Sequence, residues 1–150
     1  MRVALFEPEI AGNVGAVLRL CACFGAAVDL IEPIGFEWDD RRVRRTAMDY
    51  IDHVSVTRYP SFEQFGSTLG TSRLVLFTTK SSQSAYEFNF APDDVLLFGK
   101  ESAGVPAEVA EVCDARLRIP MRPQVRSMNL ATTAALALGE ALRQTGALPG

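Results

Sequence analysis

The apolar positions of this chain fall into two alternating kinds of pattern. Short runs occur at Arg2–Phe6, Val28–Ile31, Leu74–Phe77 and Val95–Phe98, with weaker ones at Val54–Thr57 and Arg116–Pro120. Runs of this length, bounded by turn residues, predict strands, and the unbroken ones predict strands buried on both faces. Between them the spacing changes. Val14, Val17, Leu18 and Cys21 stand at i, i+3, i+4 and i+7, which is one face of a helix. Asn13 suits the opening of that helix and Gly25 its end. Asp39–Asp49 predicts a second helix, and Ser61 with Gln64 a capping box for a short third. Pro106 suits the first turn of a fourth, which carries Val109, Val112 and Cys113. The last, Leu130–Leu142, is apolar nearly all round before Glu140, and Gly146 stops it. Such a helix is buried, often by a second chain.

Strands that alternate with helices predict an α/β fold, a mostly parallel sheet with helices on both faces. Positions 1–150 read as a single domain without repeat, low-complexity tract or linker. That length can bury a core that folds without staples. The apolar start of the chain is too short for a signal peptide. No run approaches the roughly 20 apolar residues that cross a bilayer, so no membrane partner is expected. Cys21, Cys23 and Cys113 lack metal-ligand spacing, and no histidine follows at ligand distance. They read as reduced, buried thiols of a cytoplasmic protein, with no metal.

The net charge of −3 argues mildly against nucleic acid. The distribution argues the other way. All 15 basic residues except Lys80 and Lys100 are arginines, and Arg41, Arg42, Arg44 and Arg45 crowd into one short segment. Guanidinium forks match phosphate and stack on bases. A solvated helix face, partly neutralised by Asp39, Asp40 and Asp49, explains the same cluster equally well.

The segment from Ile119 to Leu130 carries the most chemistry. It joins the last strand to the last helix through Pro120, Pro123, Arg122, Arg126, Ser127 and Asn129. Proline fixes the backbone and removes a donor, while Ser and Asn suit a helix mouth. Such a junction leaves backbone groups unpaired beside polar side chains, which is how a pocket for a small polar ligand is commonly made.

Three blocks resemble a known family in order and spacing: Glu7-Pro8-Glu9-Ile10-Ala11-Gly12-Asn13-Val14-Gly15 running on to Arg19, Phe98-Gly99-Lys100-Glu101-Ser102-Ala103-Gly104-Val105-Pro106, and the junction itself. Together they are similar to the SPOUT-class RNA 2′-O-ribose methyltransferases. The nearest resemblance is to the small TrmL-like branch that methylates the wobble cytidine or uridine of tRNA. It covers Val3 to about Gln144. Departures stand at Ala11-Gly12, Val14, Ala16, Lys100, Val105 and Gln124-Val125, and they bear on substrate identity more than on the reaction.

Chain physics alone does not predict a knot. The resemblance implies a C-terminal trefoil knot from about Leu97 to Leu130, and a homodimer whose active sites draw on both chains. It implies S-adenosylmethionine as methyl donor, held by Phe77, Thr78, Gly99, Glu101, Ile119, Met121, Ser127 and Leu130, and tRNA as substrate. A Rossmann site is a poor alternative. The first strand is not followed by G-x-G-x-x-G, although Glu32 after the second could mimic a ribose-binding acid. Arg19, Asn13, Ser127 and Asn129 are the catalytic candidates. Guanidinium does not readily give up its proton, so Arg19 suits gripping a phosphate, orienting the hydroxyl or stabilising charge on oxygen. A surface salt bridge is its plain alternative. Asn13 is open between capping alone and touching substrate as well, and Ile119 and Met121 between core and cofactor wall. Arg126 suits RNA phosphate or a partner chain, and Arg41, Arg42, Arg44 and Arg45 suit RNA. His53, the lone histidine, reads as structural or solvated. Phe36 and Trp38 suit base stacking or anchoring a loop. A non-catalytic RNA- or cofactor-binding module on the same fold, and a flavodoxin-like nucleotide binder, are the rival functions.

Overall fold

The computed structural model describes residues 1–47 and 49–150, with Thr46 described by its backbone alone. Its strands are β1 (Arg2–Phe6), β2 (Ala27–Ile31), β3 (Val56–Tyr59), β4 (Leu74–Phe77), β5 (Val95–Phe98) and β6 (Ala115–Leu117). They form one sheet in the order β3-β2-β1-β5-β4-β6, and every neighbouring pair is parallel. The helices are α1 (Ala11–Phe24), α2 (Asp40–Thr46), α3 (Phe62–Gly66), α4 (Ala107–Val112) and α5 (Leu130–Thr145).

The strand alternation builds a core on each face of the sheet. Val3, Leu5, Val75, Phe77, Leu96 and Phe98 join Val17, Leu18 and Leu138 of α1 and α5. Their neighbours Ala4, Phe6, Leu74, Leu76, Val95 and Leu97 join Phe65 of α3 and Val109 of α4. The α/β expectation holds, with helices on both faces. Among the described residues no helix is long and apolar enough to cross a membrane.

Several boundaries differ from the sequence reading for identifiable reasons. Asn13 does not cap α1. The helix opens at Ala11 after Ile10, whose carbonyl accepts from the N–H groups of Asn13 (3.1 Å) and Val14 (3.2 Å), while the Asn13 side chain is engaged elsewhere. Gly25 ends α1 in the left-handed conformation (φ 71°), as its lack of a Cβ allows. The predicted Asp39–Asp49 helix ends at Thr46 and gives way to a 3-10 turn at Tyr50–His53; Met48 lies outside the described residues. The third strand runs Val56–Tyr59, two residues beyond the predicted Val54–Thr57. Strand β6 stops at Leu117 because the Arg118 backbone leaves β4 for the 83–85 segment: its N–H donates to Gln83 O and its carbonyl accepts from Ala85 N. Val112 is 62% exposed, since the short α4 ends there and leaves Val109 and Cys113 as the buried pair. Of the cysteines only Cys21 and Cys113 are buried; Cys23 is exposed. Burial pushes the Cys21 thiol up to about 12 and Cys113 to about 11, so both stay protonated and unreactive near neutrality.

Helix α5 is not buried all round within one chain. Ala134, Ala137, Leu138, Ala141 and Leu142 face the core, whereas Ala135 and Leu136 face solvent, Leu136 at 40% exposure. Asn129 caps its start by accepting from Ala131 N (2.9 Å) and Thr132 N (3.2 Å). Gly146 closes it.

Candidate active site

The strand order reverses between β1 and β5, and open parallel sheets usually bind ligands beyond the carboxyl ends of their strands at such a point. Here the main cleft, about 1440 Å³, lies at the ends of β4, β5 and β6. Each residue predicted for cofactor binding lines it: Phe77 and Thr78 after β4, Gly99 and Glu101 after β5, Ile119 and Met121 after β6, and Ser127 and Leu130 at the mouth of α5. Asn13, Arg126 and Asn129 line it too. Ile119 is 7% exposed, so core packing and cleft wall are one role rather than alternatives.

Local chemistry explains the cleft. The 99–104 loop closes on itself: Lys100 N donates to Gly104 O at 3.1 Å and Gly104 N to Lys100 O at 2.8 Å. A Cβ on Gly99 would stand 2.5 Å from the Gly104 carbonyl carbon, so only glycine admits this approach. In the 119–129 junction, the backbone N–H groups of Ile119, Met121 and Ser127 donate to no acceptor among the described residues. Unpaired backbone donors beside apolar walls fit an adenosine-like ligand, whose base edge and hydroxyls need fixed partners.

A chain of side chains crosses the floor from loop to loop. Glu101 accepts from Glu9 N (2.9 Å) and from Asn13 Nδ2 (3.3 Å). Asn13 Oδ1 then accepts from Asn129 Nδ2 at 2.9 Å, and Asn129 Oδ1 caps α5. The polarity is forced. A carboxylate only accepts, so it draws the Asn13 amide nitrogen, which leaves the Asn13 oxygen for the Asn129 nitrogen and the Asn129 oxygen for the helix. Glu9 answers across the same gap, accepting from Ser102 N (2.9 Å) and Ser102 Oγ (2.7 Å) through one oxygen. Those bonds hold its carboxyl below the usual range.

Other predicted residues lie apart. Arg19 is exposed on α1 and does not line its own chain's cleft; its guanidinium sits 5.3 Å from the centre of the Tyr50 ring. Arg41, Arg42, Arg44 and Arg45 lie on α2 away from the cleft, and Arg44 pairs with Asp52 at 3.1 Å. Glu32 is bonded to Arg58, which removes it as a ribose-binding acid. Trp38 donates to Asp40 (2.8 Å), carries Arg58 over its ring and packs with Phe36 against the core, so both aromatics anchor the loop. His53 is exposed in the 3-10 turn. Sequence reasoning missed Glu9, Ser102 and Tyr50, for each lacks a periodic or metal-like signature and acts through a distant partner.

The three blocks thus meet around one cleft. Residues 1–139 match the SpoU rRNA Methylase family. The chain belongs to that family. The resemblance carried by the sequence blocks holds. A tRNA (cytidine(34)-2′-O)-methyltransferase of Beijerinckia indica is 53% identical over 97% of this chain and 92% of its own. A solved structure described as giving structural insights into the 2-OH methylation of C/U34 on tRNA superposes with a TM-score of 0.91, at 39% identity, covering 95% of this chain and 94% of the other. The SpoU methyltransferase AviRb of Streptomyces viridochromogenes, solved with AdoMet, superposes with a TM-score of 0.88 at 25% identity, covering 96% of this SpoU methylase chain and 60% of AviRb.

Proposed function

We propose that this SpoU methylase transfers a methyl group from S-adenosylmethionine to the ribose 2′-hydroxyl of the wobble cytidine or uridine of a tRNA in the cytoplasm. The observation that carries the reading is the cleft formed by the three blocks, with unpaired backbone donors and apolar walls at the ends of β4, β5 and β6. When bound there, S-adenosylmethionine supplies an electrophilic methyl group on a sulfonium. Ile119, Met121 and Ser127 would hold it through their free N–H groups, and Phe77 and Leu130 through apolar contact. Asn13 and Asn129, with polarity set by Glu101, would present fixed amide dipoles to the incoming ribose. Holding the 2′-oxygen in line with the donor can itself lower the barrier by roughly 7–11 kcal/mol.

Arg19 lies outside its own cleft, which favours a homodimer in which Arg19 of one chain serves the cleft of the other. The exposed Leu136 on α5 and Ile10 beside α1 (49% exposed) supply apolar surface for that pairing. In that assembly Arg19 orients the 2′-hydroxyl and stabilises the oxygen as its proton leaves to solvent or phosphate. The family's C-terminal knot belongs to the same reading: α5 starts at the cleft mouth and packs back across α1 and β5. Mixing an Arg19→Ala chain with an Asn129→Ala chain, each inactive alone, should restore about a quarter of wild-type activity, the share expected when one of the two sites in half of the dimers is intact. No recovery would overturn shared sites.

RNA would approach over the arginines. Arg118, Arg122 and Arg126 line a recess of about 140 Å³ that opens beside the cleft, and none has an ion-pair partner among the described residues. Arg41, Arg42, Arg44 and Arg45 offer a second basic surface. Replacing Arg122 and Arg126 by alanine should flatten the plot of log affinity for tRNA against log salt by about 0.7 for each phosphate that is no longer neutralised. An unchanged slope would remove them from the RNA surface. Mass mapping of ribose-methylated nucleotides in unmodified tRNA, with and without the protein, tests the function itself. A new 2′-O-methyl group at the wobble position is the expected result. Donor binding without transfer to any RNA would favour a non-catalytic module instead.

A further inference from the structure

The geometry points to Glu9 as a positioning residue for the methyl-donor cleft, and this rests on the donor lying in the cleft proposed above. Glu9 stands just beyond β1, and Glu101 and Ser102 just beyond β5, more than 90 positions later in the chain. The two segments hold each other reciprocally. Glu9 gives its N–H to Glu101 (2.9 Å) and takes both the N–H and the hydroxyl of Ser102 on Oε1 (2.9 and 2.7 Å). A carboxylate that accepts two such bonds, one from backbone, fixes the loop more firmly than a neutral pair would.

Two further contacts keep Glu9 in place. Gly35 N donates to Pro8 O at 2.9 Å, and a Cβ on Gly35 would stand 2.9 Å from the Glu9 Cα, so the 33–36 loop closes over this segment. Glu7, two residues earlier, adopts φ 45° and ion-pairs with Lys100 at 3.8 Å. A non-glycine residue in the left-handed region is held there by its surroundings. The Glu7–Glu9 turn is therefore built to meet the 99–104 loop.

The consequence runs through Glu101. Its carboxylate sets the amide orientation of Asn13, and Asn13 sets that of Asn129. Glu9 fixes where that carboxylate stands while touching none of the reacting groups itself. Without the Glu9 carboxylate, Ser102 loses the acceptor of both its bonds. The loop that carries Glu101 keeps the Glu7–Lys100 ion pair, its own Lys100–Gly104 bonds and the residue-9 backbone N–H, so Glu101 stands less firmly against Asn13. Gln at position 9 retains an oxygen that can accept from Ser102, which Ala lacks, while the backbone N–H to Glu101 is common to both.

The test is calorimetric binding of S-adenosylhomocysteine, the demethylated product, together with steady-state kcat and KM on tRNA. The set comprises wild type, Glu9→Ala, Glu9→Gln, Ser102→Ala, the Glu9→Ala/Ser102→Ala double variant, and Met121→Ala as a variant of the cleft wall. Glu9→Ala should weaken binding about tenfold and lower kcat, with KM for tRNA unchanged. Glu9→Gln should stay within about threefold of wild type. The double variant should be no weaker than Glu9→Ala alone, because both substitutions remove the same clasp. Additive losses, or equal losses for Gln and Ala, would overturn the positioning role. So would wild-type affinity in Ser102→Ala and Glu9→Ala alongside weakened Met121→Ala. If Met121→Ala also binds normally, the donor lies elsewhere and the cleft assignment itself fails.

Discussion

Arg19→Ala should lower kcat by about 10²–10³-fold, the usual loss when one group that stabilises developing charge on oxygen is removed. Binding of S-adenosylmethionine should stay within about twofold, because in the proposed assembly Arg19 acts on the ribose 2′-hydroxyl and not on the donor. The guanidinium lies over the Tyr50 ring, 5.3 Å from its centre, and an aromatic face helps to orient a cation. Arg19→Lys should therefore recover little. A lysine keeps the charge but loses the planar fork and much of the stacking. Tyr50→Phe, which preserves the ring face, should stay close to wild type. Single-turnover methylation with donor prebound separates these effects from binding. An Arg19→Ala enzyme with wild-type single-turnover rate would reduce this arginine to a surface charge.

Gly99→Val should abolish donor binding, with affinity down at least about 100-fold. The first added carbon already meets the Gly104 backbone at 2.5 Å, and backbone cannot swing aside as a flexible side chain would. Forcing it in opens the loop that carries Glu101 and costs about 1–3 kcal/mol of stability, typical of overpacking. Gly104→Ala makes the informative contrast. It meets nothing within 4 Å but sits at φ +68°, so it strains the backbone by about 1–2 kcal/mol without prying the loop open. Matched melting temperatures with unequal donor affinity would separate loop shape from global stability. Normal affinity in a folded Gly99→Val protein would show that this loop does not hold the donor.

Much of the architecture is legible in the sequence because the buried strands announce themselves. Leu74–Phe77 and Val95–Phe98 are legible to the residue, as unbroken apolar runs that must be covered on both faces. Gly25 and Gly146 mark helix ends through backbone freedom that other residues lack. Asn13 reads wrongly as a cap because capping and long-range bonding use the same side chain, and only the fold shows that Glu101 claims it. Strand β6 is legible only loosely because it pairs with β4 over just three residues before the Arg118 backbone turns to the 83–85 segment, and the segment after α2 because its bonds are short local turns without a helical period. The residues of the cleft can be named from motifs, yet Glu9 cannot be given a task. Its partners arrive more than 90 residues later, and no local pattern records that meeting.

The stitched turns beyond β1 and β5 also explain an absence of mimicry. In a dinucleotide enzyme the gap at the reversal of strand order stays open to receive a pyrophosphate. Here carboxylates and a serine bridge it, and the main cleft lies to one side, lined mostly by the second half of the chain. Of the first half of the chain only Ile10 and Asn13 line that cleft. The α2 arginines can be rewritten to suit a different nucleic acid while the chamber beside β4 and β6 keeps its shape.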